Sequence, residues 1–179
     1  MLRVSTRGEY GVRLMVYLAR NYGGRPCSLT EISLSEGLEL QQQYLEQLVR
    51  SLRQHGMVES TRGAHGGYRL AKSPEDLRMS DILRALEGPI APMICATEGT
   101  MDVICDRLDG CSTHFLWARV RDAITATLDA ITLADLLREA DAALAVQAAM
   151  ASQRGAQHLI TLTTRTGHAA SGGTSAQQA

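Results

Sequence analysis

The sequence has few aromatic residues, no long hydrophobic run and no export signal. Aromatic residues make up 4% of the 179 positions, so aliphatic side chains must fill a core, for which an apolar content of 45% is sufficient. No apolar run approaches the roughly 18 residues of a membrane-spanning helix, and Met1 leads directly into an amphipathic segment. We therefore predict a cytoplasmic protein that does not enter the membrane. Its four cysteines are then thiols or ligands rather than disulfides.

The overall charge of −1 does not indicate nucleic-acid binding, but the charge is unevenly distributed. Residues 1–90 hold 12 basic and 10 acidic side chains, whereas residues 91–179 hold 6 basic and 9 acidic ones. Between positions 50 and 72 only Glu59 opposes a group of five basic residues, which are Arg50, Arg53, Arg62, Arg69 and Lys72. Charge alone is equally compatible with a solvated face and with a DNA-contacting patch.

The order of predicted elements is typical of a winged helix-turn-helix. Helical periodicity predicts helices at 7–21 and 40–55, and a capping box from Ser28 to Glu31 predicts a short helix between them, to about Glu36. Two short strands, 57–61 and 68–71, flank a glycine-rich turn, which predicts a hairpin. A helix from Ser80 to Leu86 follows. We predict a mainly α fold with a small β-hairpin wing and a long C-terminal dimerisation helix.

The third predicted helix has two opposite faces. One face carries Leu45, Leu48, Val49 and Leu52 at helical spacing, and the other carries Gln43, Glu46, Gln47 and Arg50. The polar face presents side-chain types that reach base edges and phosphates in the major groove of DNA. The glycines of the hairpin turn would allow Arg62 to approach the minor groove or the DNA backbone.

Three cysteines and a histidine follow the winged segment. They have the spacing Cys95-x9-Cys105-x5-Cys111-x2-His114. Thiolates are the ligands that iron–sulfur clusters prefer, and His114 lies one helical turn after Cys111. Zinc is an alternative, although structural zinc sites usually have tighter cysteine pairs. Cys27 lies far from this group and is interpreted as a packed thiol. No third group is available to orient a Cys–His nucleophile, so we predict that the protein is not an enzyme.

A long helix is predicted from His114 to Ile131, with an apolar face that needs a partner. The face includes Leu116, Val120, Ile124 and Leu128. A second copy of the chain is the simplest partner, which predicts a homodimer, and packing back onto its own domain is the alternative. Thr132 to Asp135 can cap a further helical turn.

These features divide the chain into four predicted segments. Residues 1–88 form the winged helix-turn-helix DNA-binding domain, and 89–113 form the cysteine-bearing loop. Residues 114–140 form the dimerisation helix with a short terminal helix. The Ala-, Ser- and Gln-rich residues 141–179 are predicted to be a disordered tail.

Several short motifs within residues 2–140 together resemble the IscR-like family of iron–sulfur winged-helix transcription regulators. They are Leu2–Tyr10, Tyr44–Leu48, Val58-x3-Arg62-Gly63, Gly66-Gly67-Tyr68, the Cys95/Cys105/Cys111/His114 set and Ile131–Asp135. The nine residues between Cys95 and Cys105 are a longer separation than is usual in the family. The resemblance implies a [2Fe–2S] cluster held by the three cysteines and His114. Relatives with a [4Fe–4S] cluster make Glu9 a rival fourth ligand.

The resemblance also implies how DNA would be recognised. Glu46 matches a family glutamate that accepts a hydrogen bond from cytosine. The predicted DNA-binding residues are Gln43, Tyr44, Glu46, Gln47, Arg50, Arg62 and His65. We expect a homodimeric transcriptional repressor that binds a palindromic operator and senses iron–sulfur status, redox state or nitric oxide. The alternatives are a metabolite-responsive regulator and a zinc-stabilised or cluster-free winged-helix interaction module.

Overall fold

A computed structural model describes residues 5–36, 42–63, 66–99, 111–147 and 150. The chain forms two compact units, Met1–Leu137 and Arg138–Ala179. The first contains α1 (Thr6–Arg20), α2 (Leu29–Ser35), α3 (Gln42–Gln54), β1 (Val58–Thr61), β2 (Gly67–Leu70), α4 (Met79–Glu87) and α5 (His114–Ala130). Short 3-10 turns lie at Pro74–Asp76 and Ile94–Ala96, and residues 133–137 are again helical. The predicted fold class, mainly α with a β-hairpin wing, is confirmed.

The second unit is helical at residues 138–147. The first seven residues of the segment 141–179, which we predicted to be disordered, are thus helical, and of the remainder only Met150 belongs to the described residues. Within the described ranges, no helix is both long and apolar enough to span a membrane.

Helix α2 begins with the predicted capping box. The Ser28 hydroxyl accepts a hydrogen bond from the Glu31 N–H at 3.2 Å, and the Glu31 carboxylate accepts one from the Ser28 N–H at 2.8 Å. Hydrogen bonds to Glu31 from the Arg25 guanidinium, and then from Ser28, lower the pKa of this carboxyl from 4.5 to about 2. The start of α2 is therefore fixed by its own first turn.

Helix α3 lies on the core through the predicted apolar stripe. Leu45, Leu48, Val49 and Leu52 are at most 1% exposed, because their spacing places all four on one helical face. The opposite stripe is exposed to solvent along its length. The sequence predicted a helix over 40–55, and the described helix covers Gln42–Gln54, with residues 37–41 outside the described ranges.

The wing is a two-stranded antiparallel hairpin. Its register pairs Val58 with Leu70 and Thr61 with Gly67. The first strand begins one residue later than the predicted 57–61, and the second is shifted by one residue toward the N-terminus relative to the predicted 68–71. Tyr68 also bridges to Cys27: the Cys27 N–H donates to the Tyr68 carbonyl at 2.9 Å, and the Tyr68 N–H donates to the Cys27 carbonyl at 2.8 Å. The wing is thereby fixed to the segment that precedes α2.

Helix α4 does not begin as the sequence predicted. Ser80 was expected to start it, but the helix begins at Met79, and Ser80 is completely buried within the first turn. Among the described residues, the Ser80 hydroxyl has no hydrogen-bond partner. The helix start is satisfied from elsewhere, because the Met79 N–H donates to the Ile131 carbonyl at 2.9 Å. A tertiary contact therefore replaces the local cap.

Helix α5 lies along the outside of the domain, and none of its residues is fully buried. Its end is joined to the α4 segment, because the Leu133 N–H donates to the Leu77 carbonyl at 2.8 Å. The predicted cap after α5 is present: the Asp135 N–H donates to the Thr132 hydroxyl at 3.1 Å, and the Thr132 N–H donates to the Asp135 carboxylate at 3.0 Å.

Candidate nucleic-acid interface and ligand loop

The outer face of α3 carries the side chains that were predicted to read DNA. Gln43, Glu46, Gln47 and Arg50 are all exposed. Glu46 lies near Gln42, whose side-chain amide is 3.5 Å from the Glu46 carboxylate. This face, here called the reading face, is polar and unobstructed within the described domain, as a helix that enters a DNA groove must be.

Tyr44 lies off the reading face. Its ring is half-buried against the core and meets the Tyr10 ring edge to face, with ring centres 6.4 Å apart and planes at 88°. This geometry is favourable for an aromatic pair. Tyr44 therefore has a packing role between α1 and α3, and its contact with DNA stays a prediction.

A polar cleft of about 400 Å³ separates α2, the reading face and the wing. The polar side chains along it include Thr30, Gln42, Glu46, Ser60, Thr61 and Arg62. Thr30, Ser60 and Thr61 were not predicted as site residues, although the exposed run of β1 was a possible signal for the last two. Arg62 is exposed and is followed by Gly63 at a φ of 117°. His65 lies outside the described residues.

One of the five basic side chains counted between positions 50 and 72 is neutralised in the structure. Arg69 forms an ion pair with Glu59 across the hairpin, with Nε 2.5 Å from the carboxylate, so their charges largely cancel. Arg50 and Arg53 line a second cleft, between the end of α3 and β1. Arg53 was not among the predicted DNA-binding residues, because it lies one turn beyond the polar stripe that we identified.

Three of the four predicted metal ligands lie in the described part of the chain. Cys95 is on the Ile94–Ala96 turn, which packs against α5, and Cys111 and His114 flank the start of that helix. The sulfur of Cys111 is 3.2 Å from the Thr113 hydroxyl, and the His114 N–H donates to the Cys111 carbonyl at 3.2 Å. Cys105 lies outside the described residues.

The His114 side chain has an unusual environment. Its Nδ1 atom is buried and has no hydrogen-bond partner among the residues that the structure describes. A buried ring nitrogen without a partner is costly, and a ligand would remove that cost. Within the described ranges, no three His, Cys, Asp or Glu side chains lie close enough together to hold a metal ion.

The two remaining candidates differ from this group. Glu9 is exposed and forms an ion pair with Arg13 at 3.0 Å one turn along α1. Cys27 is 4% exposed, and burial raises the pKa of its thiol, which agrees with the prediction of a packed thiol.

The loop that carries Cys95 is attached to α4 by an ion pair. Arg84 donates to both carboxylate oxygens of Glu98, at 2.8 and 2.6 Å. The Arg84 guanidinium lowers the pKa of the Glu98 carboxyl, and the pKa of Arg84 is raised in return. This contact between residues 14 positions apart was not predicted.

The predicted dimer face divides into two parts. Leu116 is 53% exposed, and the neighbouring Phe115 is 68% exposed. Val120 and Ile124 are half-buried, and Leu128 packs against the core of its own domain. The self-packing alternative thus describes the end of α5, while the start of α5 leaves apolar surface exposed.

Comparisons with known proteins agree on one family. The Rrf2 family model, described as an iron-dependent transcriptional regulator, matches residues 4–139. Over 140 residues the chain is 41% identical to the HTH-type transcriptional regulator CymR of Bacillus subtilis, covering 78% of this chain and 93% of that protein. Over 136 residues it is 35% identical to the HTH-type transcriptional regulator IscR of Escherichia coli, covering 76% and 80%.

Solved structures give the same result. B. subtilis CymR, described as the global cysteine regulator, matches with a TM-score of 0.64 and 42% identity, covering 78% of this chain and 98% of that chain. IscR of T. potens matches with a TM-score of 0.63 and 42% identity, covering 79% and 90%.

Proposed function

The chain belongs to the Rrf2 family of transcriptional regulators, and from that premise we propose that it senses its signal through an iron–sulfur cluster bound beside its DNA-binding domain. Membership confirms the resemblance to IscR-like regulators and the prediction that the chain is not an enzyme. It also implies DNA binding. Because transcription regulators work at the chromosome, the proposed location is the cytoplasm.

The observation that supports a cluster is the pairing of Cys111 with His114. A half-buried thiol and a buried imidazole nitrogen without a partner lie at the two ends of one turn at the start of α5. Thiolate sulfur and neutral imidazole are both ligands of [2Fe–2S] clusters. The donor set therefore fits the group, with Cys95, Cys105, Cys111 and His114 as the proposed ligands.

When bound, the cluster supplies a redox-active centre whose potential depends on its ligands and exposure. The protein contributes the position of those ligands: His114 is the first residue of α5, Cys111 lies just before it, and the turn at Ile94–Ala96 places Cys95 against α5. We favour [2Fe–2S] over [4Fe–4S] because His114 is the preferred fourth ligand. Glu9 would first have to leave its ion pair with Arg13.

The cluster proposal is tested on full-length protein purified without oxygen. We expect a coloured protein with iron and acid-labile sulfide, and expect Cys111→Ala to bleach it while helical circular dichroism is retained. Cys27→Ala is the matched control and should keep the colour, because this thiol is packed beneath the wing. A colourless native protein with stoichiometric zinc would contradict a cluster and favour the zinc alternative.

The fourth ligand is tested by two further variants. His114→Ala should change the absorption and electron spin resonance spectra of the cluster, whereas Glu9→Ala should leave both unchanged. The opposite pattern would assign the site to Glu9 and favour a [4Fe–4S] cluster.

A second candidate function is a regulator that responds to a sulfur metabolite without a cluster. It is favoured by the 41% identity to B. subtilis CymR, whose structure is described as that of the global cysteine regulator. Operator binding by metal-free protein should then respond to added L-cysteine. Under the cluster proposal, L-cysteine leaves operator binding of the metal-free protein unchanged.

We further propose a homodimer that represses transcription from a palindromic operator. The exposed apolar start of α5, with Leu116 and Phe115, supports association with a second copy. A two-fold dimer presents two reading faces, and two half-sites then match its symmetry. Gln43, Glu46, Gln47, Arg50 and Arg62 are the proposed DNA contacts.

A further inference from the structure

Arg84 joins three parts of the domain. Besides its bidentate contact with Glu98, its Nη1 atom lies 3.1 Å from the Asp81 carboxylate in α4 and 3.6 Å from the Asp129 carboxylate in α5. The side chains of Arg84 and Glu98 are 30% and 26% exposed, so solvent screens their attraction only in part. A bidentate arginine–carboxylate pair also fixes orientation.

Glu98 closes the loop that contains Cys95. The Glu98 N–H donates to the Ile90 carbonyl at 3.0 Å, and the Glu98 carboxylate accepts from the Ile90 N–H at 3.3 Å. These two bonds close residues 90–98 into a loop that contains Cys95. The contact between Glu98 and Arg84 therefore ties this loop as a unit to α4.

From Arg84 the connection continues to α3, the helix that carries the reading face. Ala85 is the next residue in α4, and its carbonyl lacks a partner within the helix, because the residue four positions later is Pro89, which has no N–H. The hydroxyl of Ser51 in α3 donates to this carbonyl at 2.5 Å. Ser51 directly follows Arg50, a residue of the reading face.

We infer that the Glu98–Arg84 pair and the Ser51–Ala85 hydrogen bond couple the loop of Cys95 to the reading helix, so that a change at the loop alters how α3 is held. The inference rests on the proposed function, in which this loop carries the sensing group. If Glu98 is withdrawn, the Asp81 and Asp129 carboxylates remain beside the Arg84 guanidinium as its other partners.

The first test uses metal-free, full-length protein and measures amide hydrogen exchange. Glu98→Gln removes the bidentate pair, and we expect it to speed exchange in α3, which Glu98 does not hydrogen-bond. Glu36→Gln is the matched control, because Glu36 pairs with Arg20 at 3.7 Å, outside α4. Unchanged α3 exchange in Glu98→Gln would overturn the inference. If Glu98→Gln does not fold, Arg84→Lys keeps the charge but cannot form the bidentate contact.

The second test compares operator affinity of cluster-loaded and metal-free protein. Typical coupling energies give a ratio of about 5- to 150-fold for the wild type. Glu98→Gln and Ser51→Ala should each bring this ratio near one while retaining the cluster absorbance, and Glu36→Gln should keep it. The affinity ratio of the double variant should fall no further than that of either single variant, because both substitutions act on one connection.

The outcomes separate the two proposals. A wild-type ratio of one would contradict the proposed function, and the exchange measurement alone would then decide on the coupling. A wild-type ratio well above one that persists in Glu98→Gln and Ser51→Ala would overturn the coupling and leave the proposed function intact. If the effects of Glu98→Gln and Ser51→Ala on the affinity ratio multiplied in the double variant, this would likewise contradict a shared connection.

Discussion

Replacing Gly67 by alanine should weaken the attachment of the wing to the segment before α2. A Cβ atom at this position would lie 2.5 Å from the carbonyl oxygen and 2.7 Å from the carbonyl carbon of Cys27. These are backbone atoms, so the strand must move, and the movement strains the two hydrogen bonds between Cys27 and Tyr68. The absence of a side chain at Gly67 is therefore what lets β2 lie against the segment before α2.

The expected cost follows from three contributions. Overpacking costs about 1–3 kcal/mol, and losing two hydrogen bonds costs about 0.5–1.5 kcal/mol each. Alanine also restricts the unfolded chain more than glycine does, which offsets about 0.4–1 kcal/mol of this loss. The net loss of unfolding free energy is then roughly 3 kcal/mol, a large part of the ~5–15 kcal/mol of a typical domain.

Urea unfolding of wild type, Gly67→Ala and Gly11→Ala measures this loss. Gly11→Ala is the comparison, because its Cβ would lie 2.3 Å from the Cδ1 atom of Leu86, which is a side-chain atom and not backbone. Its overpacking is offset by the ~1 kcal/mol higher helix propensity of alanine. A Gly67→Ala protein as stable as wild type, or more stable than Gly11→Ala, would refute the reasoning.

Features that depend on neighbouring residues were predictable from the sequence. The period of Leu45, Leu48, Val49 and Leu52 identified the buried face of α3, because side chains three and four positions apart share one side of a helix. The capping box at Ser28 was predictable for the same reason, since both of its hydrogen bonds lie within one turn.

Features that depend on distant residues were not predictable. Ser80 has the residue type of a helix cap, but the carbonyl of Ile131 satisfies the start of α4, and the local signal is overridden. The Glu98–Arg84 pair joins two surface-type residues that no periodic pattern relates. Neither contact has a sequence signature, because the partners meet only after the domain has packed.

The candidate site shows the same division. Helical period placed Glu46 and Arg50 on the exposed face of α3, as the structure has them. It did not show that Tyr44 turns toward Tyr10, or that Leu128 packs against its own core. Those outcomes depend on which elements surround the helix, and a single helical stripe does not contain that information.

Three further predictions follow from individual side chains. Because the folded-state pKa of Glu31 is about 2, below its ordinary 4.5, the ionised carboxylate stabilises the fold above about pH 4.5, and this stabilisation disappears as the pH falls toward 2. Urea unfolding should therefore find Glu31→Gln less stable than wild type at pH 7 and equal to it near pH 2; an equal deficit at both pH values would contradict this. Leu116→Asp should give a folded monomer by light scattering, because Leu116 is 53% exposed, whereas Leu128→Asp should lower the unfolding midpoint, because Leu128 packs on the core. Glu46→Ala should relax operator selectivity by about 1–3 kcal/mol per recognised base pair, since a carboxylate repels phosphate and adds nothing to general affinity. Arg50→Ala should instead weaken binding to all sequences and lower the salt dependence, because a guanidinium at the edge of the reading face neutralises phosphate. Competition binding with matched and mismatched operators separates the two, and an equal loss on every sequence for Glu46→Ala would mean that selectivity lies elsewhere on α3.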